Sequence, residues 1–261
     1  MKLKIYQIDA FADKVFTGNP AAVCVLKDWL SDEMMQNIAT ENNLSETAFT
    51  VKNRQNYDIR WFTPMAEVAL CGHATLATAF VLFNFIETKT VAISFQSLHS
   101  GALHVSRKED LLTLIFPTDT PIEVEQIPEL TEAIGRTPER VLRGKTDYLL
   151  IYADQDEIEQ IAPDFNKLLE FDARGIIVSA PGKNVDFVSR FFGPAVGVNE
   201  DPVTGSAHTM LIPYWADRLN KKQMSARQLS KRGGDLECEY LGDRVNISGK
   251  AVLYMIAEIE I

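Results

Sequence analysis

The stretch Cys71-Gly72-His73-Ala74-Thr75 directly precedes an apolar run from Leu76 to Phe85, and our prediction of the fold starts from it. The run is apolar on nearly every side, which predicts a helix buried inside a domain. A second stretch of the same kind, Thr204-Gly205-Ser206-Ala207-His208, precedes the apolar residues 209–219. The two stretches are separated by about half of the 261 residues. Similarity at this spacing predicts two similar lobes, each built around one buried helix.

Short strands are predicted around both helices. Alternating and β-branched patterns indicate strands at 3–11, 21–26, 46–51, 57–62, 90–95, 101–106, 111–116, 147–152, 175–179, 185–192, 237–240, 244–247 and 252–259. Helices are predicted from Ser31, as N-cap, to about Asn43, and as short turns at 130–134 and 138–142. The Pro- and Glu-rich residues 120–128 are the predicted linker. We therefore expect an α+β fold with lobes at 1–119 and 120–261, the last strands being free to cross over and complete the first lobe, and a ligand cleft between the lobes.

The composition of the chain excludes some classes of binding partner. The chain carries 26 Lys and Arg against 36 Asp and Glu, and this acidic balance disfavours nucleic acid and anionic membranes. The three cysteines, Cys24, Cys71 and Cys238, are too few and too scattered for a disulfide framework or a zinc site. No apolar run reaches the ~18–20 residues of a membrane span, and the N-terminus lacks a signal-peptide pattern. We expect a soluble, cytoplasmic protein without a metal.

The two helix starts are candidate anion sites. A glycine lets the backbone approach a ligand, and the first N–H groups of a helix have no intrahelical partner and carry the positive end of the dipole. Gly72 and His73 at one start, and Gly205 and Ser206 at the other, would then bind a carboxylate. The alternative is plain helix capping by Thr204 and Ser206.

Glu46 is a candidate acid/base group. It stands at the start of an apolar strand in Asn43-Leu44-Ser45-Glu46-Thr47-Ala48-Phe49, where partial burial would raise its pKa and suit it to proton transfer. A surface position, like that of many of the 36 acidic residues, stays open. His73 lies at a helix start that disfavours imidazolium, so we expect a neutral donor or acceptor, or else a core histidine.

Two further residues stand at the helix starts. Asp201, directly before Pro202, would orient a substrate amine or hydroxyl, or cap the turn. Cys71 lies where a helix dipole lowers a thiol pKa, which would allow a thiolate base. Cys24 and Cys238 lie in apolar or strand-like stretches and are expected to be inert.

Taken together, the motifs resemble the PhzF family, which is named for an enzyme of phenazine biosynthesis and shares the diaminopimelate epimerase-like fold. The motifs occur in family order along the chain: QIDAFADKVFTGNPAAV from Gln7, NNLSETAF from Asn42, RWFTP from Arg60, EVALCGHAT from Glu67, GVNEDPVTGSAH from Gly197 and LSKRGGDLECE from Leu229. The resemblance implies two pseudo-symmetric lobes, each a mixed β-sheet or barrel wrapped around a central helix. It also implies a homodimer and an isomerase that needs no metal or organic cofactor.

The resemblance also assigns roles to individual residues of this chain through the matching motifs. The acid/base glutamate of the family matches Glu46, and its substrate-binding residues match Gly72, His73, Asp201, Gly205 and Ser206. Epimerases of this fold use one cysteine from each lobe, whereas this chain has only Cys71, with Asp201 about where the second would stand. Many family members have Asp where this chain has Ala69, which leaves the substrate open.

The expected function is therefore cofactor-independent proton transfer on a small carboxylate, with Glu46 as the acid/base group. Two alternatives remain: a non-catalytic protein that binds small carboxylates, and a single-cysteine racemase that uses Cys71. Nothing in the sequence says whether the substrate is related to phenazines.

Overall fold

The computed structural model describes all 261 residues and divides into two compact units. Unit 1 comprises Met1–Ile115 and Ser248–Ile261, and unit 2 comprises Phe116–Ile247. The first boundary thus falls a few residues before the expected 119/120, and the last strand of the chain belongs to unit 1. None of the helices is both long and apolar enough to cross a lipid bilayer.

Unit 1 is a mixed sheet with two helices. Strand β17 pairs antiparallel with β1, β1 antiparallel with β2, β2 parallel with β3, β3 antiparallel with β4, β4 parallel with β6, and β6–β7–β8 antiparallel. The bounds are β1 Lys2–Ala10, β2 Asn19–Leu26, α1 Asp32–Asn42, β3 Glu46–Asn53, β4 Asn56–Phe62, β5 Glu67–Val68, α2 Gly72–Val81 with a π-helical turn Leu82–Ile86, β6 Ala92–Ser97, β7 Gly101–Lys108, β8 Leu111–Pro117 and β17 Ala251–Glu260.

The two helices of unit 1 follow their sequence signals. Ser31 caps α1 by accepting from the backbone N–H of Met34 at 3.2 Å, and Asn43 ends the helix in the left-handed conformation. Helix α2 packs against β1, β2 and β3, and nine of its ten residues are buried. The predicted buried helix is therefore confirmed, and its first residue is Gly72.

Unit 2 has four helices, and its strands also pair in both parallel and antiparallel directions. Its strands pair in the order β9–β10–β11 antiparallel, β11 parallel with β12, β12 antiparallel with β13, β13 parallel with β14, and β14 antiparallel with β15. The bounds are β9 Ile122–Val124, α3 Pro128–Ile134, β10 Arg140–Arg143, β11 Asp147–Ile151, α4 Gln155–Gln160, α5 Phe165–Leu168, β12 Gly175–Pro181, β13 Phe187–Phe192, a 3₁₀ turn Pro194–Val196, α6 His208–Leu219, β14 Gln223–Gln228, β15 Gly234–Tyr240 and β16 Arg244–Gly249, the last of which carries the chain back to unit 1.

The structure of unit 2 differs from the prediction at four points. The helical turn expected at 138–142 is strand β10, and the expected linker 120–128 contains β9, because each strand satisfies its backbone groups by pairing with the other. Strand β14 was not predicted, although its residues alternate between exposed and buried. Helix α6 begins at His208, three residues after Gly205, because the preceding turn is tightened by bonds from the His208 and Thr209 N–H groups to the carbonyls of Gly205 and Ser206.

The two units share one order of strands and helices. Each unit begins with an antiparallel pair of strands, and a helical connection (α1 in unit 1, α4 and α5 in unit 2) leads from it to a parallel strand. That strand forms a second antiparallel pair with the next one. A second helical connection, through the long helix α2 or α6, then leads to another parallel strand, which pairs antiparallel with the strand that follows. Strands β2, β3 and helix α2 thus have β11, β12 and α6 as counterparts. The α+β class is confirmed, and the shared order supports the internal repeat read from the two helix starts.

Candidate active site

Glu46 and His73 meet in unit 1. Glu46 is the first residue of β3, and the parallel register with β2 places it opposite Ala21. His73 is the second residue of α2, and its side chain is 5% exposed, against 17% for that of Glu46. Oε2 of Glu46 lies 3.0 Å from Nε2 of His73. The structure thus brings the predicted acid/base carboxylate, Gly72 and His73 together.

The Glu46–His73 contact is close but poorly aligned. The geometry does not satisfy a hydrogen bond, and the two atoms, both buried, have no hydrogen-bond partner elsewhere. Buried polar atoms are nearly always hydrogen-bonded, and exceptions call for an explanation. A carboxylate oxygen and an imidazole nitrogen in this state are available to a substrate.

The charge of His73 is set by its neighbours. Burial opposes the imidazolium, but Cys71 and the carboxylate of Glu46 favour it, so the pKa of His73 lies above its ordinary value; because the thiol of Cys71 is itself uncharged at neutral pH, Glu46 is the charge that favours the imidazolium there. The neutral histidine expected from the helix dipole alone is therefore not what the structure favours. The side-chain amide of Asn19 lies 3.1 Å from Nδ1 and can serve either protonation state by rotating its amide.

Cys71 lies on the other side of the same imidazole. Its Sγ is 3.5 Å from Nδ1 of His73, and Cys71 is the N-cap residue of α2. Burial, followed by the charge of Glu46, raises the pKa of the thiol to about 11. The expected lowering by the helix dipole is thus outweighed, and Cys71 is a protonated thiol at neutral pH.

Glu46, Cys71 and His73 also form a set of metal-ligand types within 4.8 Å of one another. The thiol approaches Nδ1 of the imidazole, however, whereas the carboxylate approaches Nε2. The lone pairs of the two ring nitrogens diverge, so one ion bound to His73 cannot also reach both other ligands in this arrangement. The geometry is that of a thiol–imidazole–carboxylate chain rather than of a zinc site, which would converge on one point.

In unit 2, Asp201 is held by a buried polar network. The hydroxyl of Thr204 donates a short hydrogen bond to Oδ2 of Asp201. The fully buried Gln228 accepts from the Thr204 N–H at 2.8 Å, and its amide donates to the Asp201 carbonyl at 2.8 Å and to the Thr204 hydroxyl at 3.2 Å. Because Gln228 occupies an acceptor position of that hydroxyl, the hydroxyl proton is directed to the carboxylate.

Gly205 and Ser206 lie in the turn that precedes α6. Gly205 is buried and Ser206 is partly exposed. The guanidinium of Arg174 donates to Oγ of Ser206 at 2.7 Å and is itself paired with the buried Asp147. Asp201, Gly205 and Ser206 therefore belong to one polar segment of unit 2, together with Arg174, a residue for which the sequence predicted no role.

His208 differs from His73 in spite of its similar position. It is fully buried and its Nδ1 lies 2.9 Å from the carbonyl oxygen of Thr204, to which a neutral ring donates. Burial lowers its pKa to about 4. His208 is therefore a neutral core histidine that donates through Nδ1 and whose buried Nε2 has no hydrogen-bond partner, whereas His73 is the histidine paired with a carboxylate.

Opposite titration of these two histidines is a direct test. In an NMR titration of the imidazole C–H resonances, we expect His208 to stay neutral down to about pH 4 and His73 to keep its proton above about pH 6.5. The contribution of His208, whose pKa is lowered, to the free energy of unfolding is complete above pH 6.5 and falls by about 3 kcal/mol as the pH drops to 4. The contribution of His73, whose pKa is raised, is complete below pH 6.5 and is lost at higher pH. Glu46→Gln should lower the His73 midpoint and leave His208 unchanged; a His73 midpoint well below 6.5 in the wild type would contradict the pairing.

Ala69 lies two residues before Cys71 and is exposed. Its carbonyl accepts hydrogen bonds from the hydroxyls of Ser100, at 2.8 Å, and Ser97, at 3.4 Å. These hydrogen bonds fix the backbone at Ala69 shortly before α2 begins, and the exposed methyl group of Ala69 carries no charge.

Comparisons with known proteins agree with these motifs. A family model described as phenazine biosynthesis-like protein, PhzC-PhzF, matches residues 8–257. An uncharacterized isomerase of Pseudomonas aeruginosa is 52% identical over 262 residues, covering 100% of both chains. The crystal structure of a PhzF family protein of Enterococcus faecalis is 50% identical and covers 100% of both chains with a TM-score of 0.97. A hydroxyproline epimerase of Agrobacterium vitis has a TM-score of 0.66 at 7% identity, over 99% of this chain and 92% of that one, which shows the fold alone. The chain belongs to the PhzF, or phenazine biosynthesis-like, family and is an isomerase with the diaminopimelate epimerase-like fold.

Proposed function

We propose that the protein isomerises a small carboxylate without a cofactor, with Glu46 moving a proton from one atom of the substrate to another. The observation that carries this proposal is the buried Oε2 of Glu46, which lies 3.0 Å from the His73 imidazole and has no hydrogen bond of its own. A base must reach the proton that it removes, and an oxygen already bonded within the protein would have to be released first.

The proposed step balances without an oxidant or reductant. The Glu46 carboxylate takes a proton from a C–H bond next to an unsaturated or carboxylate-bearing carbon, and the electron pair of that bond moves into the adjacent π system. The carboxylic acid of Glu46 then returns the proton to another carbon of the same molecule. The product has the composition of the substrate.

The other residues have supporting roles in this proposal. The main-chain N–H groups around Gly72 and His73 bind the substrate carboxylate, since the first N–H groups of α2 have no partner within the helix. A protonated His73 stabilises the negative charge that develops on the substrate. Asp201, Gly205 and Ser206 are proposed to bind the polar substituents of the substrate.

Solvent-deuterium exchange tests the function. The wild-type protein in D₂O is incubated with a pool of small unsaturated carboxylates and amino acids, and mass spectrometry follows deuterium uptake and isomer formation. We expect one compound class to gain carbon-bound deuterium and to convert into an isomer of the same formula. Binding detected by thermal shift, with no exchange into any bound compound, would instead favour the non-catalytic carboxylate binder.

Cys71 supports a second candidate, a single-cysteine racemase. The observation in its favour is the 3.5 Å approach of its Sγ to Nδ1 of His73; the protonated state of the thiol opposes it. If Glu46 is the acid/base group, Cys71→Ser should keep exchange within about tenfold of wild type, because serine preserves the size of the N-cap residue. A racemase would lose about 10²-fold or more in that variant and would exchange the α-proton of an amino acid.

The homodimer implied by the family resemblance and the cytoplasmic location implied by composition stay predictions. The physiological substrate is open, and the proposal does not require a phenazine precursor.

A further inference from the structure

Three polar residues converge in each unit at the starts of corresponding elements, although not at identical register positions. In unit 1, Asn19 and Glu46, the first residues of β2 and β3, both contact His73 at the start of α2. In unit 2, Asp147 is the first residue of β11, the counterpart of β2. It pairs with Arg174, which lies directly before β12, the counterpart of β3.

The third member in unit 2 is Ser206, just before α6. Arg174 contacts it as Glu46 contacts His73. The proposed proton-transfer pair of unit 1 thus has a counterpart in which a permanently charged guanidinium faces a hydroxyl. A guanidinium keeps its proton in proteins, so this counterpart cannot transfer protons and is suited to hold charge instead.

The guanidinium of Arg174 is fixed on several sides. Its Nε donates to Oδ1 of Asp147 at 2.9 Å, and its Nη2 donates a short bond to Oδ2 of the same carboxylate. Its plane lies over the Phe191 ring, 5.1 Å from the centroid. A Cβ on Gly175 would meet that ring at 2.2 Å, so the glycine makes room for the aromatic support. The backbone N–H of Arg174 donates to the Thr146 carbonyl at 2.8 Å.

Pairing with Asp147 uses only one edge of this guanidinium. The remaining nitrogen, Nη1, donates to Oγ of Ser206 at 2.7 Å, and the Arg174 side chain is 33% exposed. Because Nη1–H occupies a lone pair of the hydroxyl oxygen, the hydroxyl's own hydrogen must point away from Arg174. The cation also polarises the O–H bond, which strengthens it as a donor.

We propose that Arg174 is a positioning residue that holds the Ser206 hydroxyl as a donor for an oxygen of an anionic substrate. This inference rests on the proposed role of Ser206 in substrate binding. Because Asp147 anchors the guanidinium of Arg174, the O–H bond of Ser206 points in the same direction each time a substrate binds. A serine hydroxyl without such a partner would rotate freely. Asp147 acts one step further back, through Arg174.

A thiol placed at position 206 reports on this interaction without any substrate. In Ser206→Cys, the introduced thiolate should be stabilised by Nη1 of Arg174. Adding Arg174→Met should raise the pH at which the thiolate forms by about one unit, the low end of the effect of a close opposite charge because the site is partly exposed. The pH of half-formation is measured from thiolate absorbance and from the pH dependence of iodoacetamide alkylation, with wild type, whose three cysteines are buried, as the baseline.

Two further variants separate a direct effect of Arg174 from the effects of an unpaired Asp147 and of the net charge. Arg174→Met together with Asp147→Asn removes the buried carboxylate that the single variant leaves uncompensated, and it should still shift the titration upward, by less. Arg227→Met, which removes an exposed arginine paired with Asp235, controls for net charge and should give no shift. An unshifted titration in both Arg174 variants, with normal melting temperatures, would overturn the proposal and leave Arg174 as a structural ion pair.

The substrate assay completes the test. For the compound that exchanges in the wild type, Arg174→Met should raise KM no more than Ser206→Ala does, and the double variant Arg174→Met/Ser206→Ala should be no worse than Ser206→Ala alone. Additive losses would also overturn a role exerted through Ser206. Because the thiol titration needs no turnover, a wild-type protein without exchange activity would refute the proposed function and leave the Arg174–Ser206 coupling measurable.

Discussion

Glu46→Gln is expected to lower the rate of substrate deuterium exchange by about 10²–10⁴ relative to wild type. Glutamine has nearly the size of glutamate, so the start of β3 and its register with β2 should persist. An amide does not accept a proton from carbon, and it also removes the negative charge that raises the pKa of His73. The loss should therefore appear in kcat, with a melting temperature close to that of wild type.

The matched control for this variant is Glu41→Gln, which makes the same chemical change at an exposed residue of α1. We expect it to retain full exchange. The measurement is deuterium incorporation under single-turnover and steady-state conditions for the compound identified with wild type. A Glu46→Gln protein that exchanges as fast as the Glu41→Gln protein would rule out Glu46 as the acid/base group and would turn attention to Cys71.

The sequence predicted the parts of this site that follow from local pattern. Gly72 begins α2 and Ser31 caps α1 because capping and helical periodicity are properties of neighbouring residues. Glu46 could be placed at a strand start by the same reasoning. Its role came from the resemblance to a family, since burial of one carboxylate among 36 is decided by long-range packing.

The contacts that set charge could not be predicted in this way. Asn19 reaches His73 because α2 packs against β2, which brings together residues that are far apart in sequence. Arg174 had no motif around it and owes its position to the matching pair of strands β11 and β12 in unit 2. The only sequence signal for Arg174 is the internal repeat: a comparison of the residues at the start of β12 with those at the start of β3 would have pointed to it. The neutral His73 predicted from the helix dipole did not take account of Glu46 at 3.0 Å, whose charge favours the imidazolium.

Gln228→Leu is expected to cost about 3 kcal/mol in the free energy of unfolding. Leucine has a similar volume but cannot accept from the Thr204 N–H, which stays buried, or donate to the Asp201 carbonyl and the Thr204 hydroxyl. Each buried polar group that loses its partner costs about 1–3 kcal/mol. Urea denaturation of Gln228→Leu and wild type gives the difference directly.

Gln223→Leu is the matched control, because Gln223 lies at the other, exposed end of the same strand β14 and its side chain bonds only to the half-buried Glu239. We expect a change within about 0.5 kcal/mol there. Equal stability of the two variants would show that the Asp201–Thr204 segment does not depend on Gln228.

Gln228→Glu separates the donor from the acceptor. An ionised glutamate still accepts from the Thr204 N–H but offers no N–H to the Asp201 carbonyl or the Thr204 hydroxyl, and it adds a negative charge near the Asp201 carboxylate. At pH 7 the variant should therefore be at least as unstable as Gln228→Leu. Burial and the like charge favour the protonated acid in the fold, so stability relative to wild type should recover as pH falls and the new carboxyl gains a proton that it can donate. Recovery in Gln228→Glu and none in Gln228→Leu would assign the stabilisation of this segment to the donated hydrogen bonds, the ones that fix Asp201.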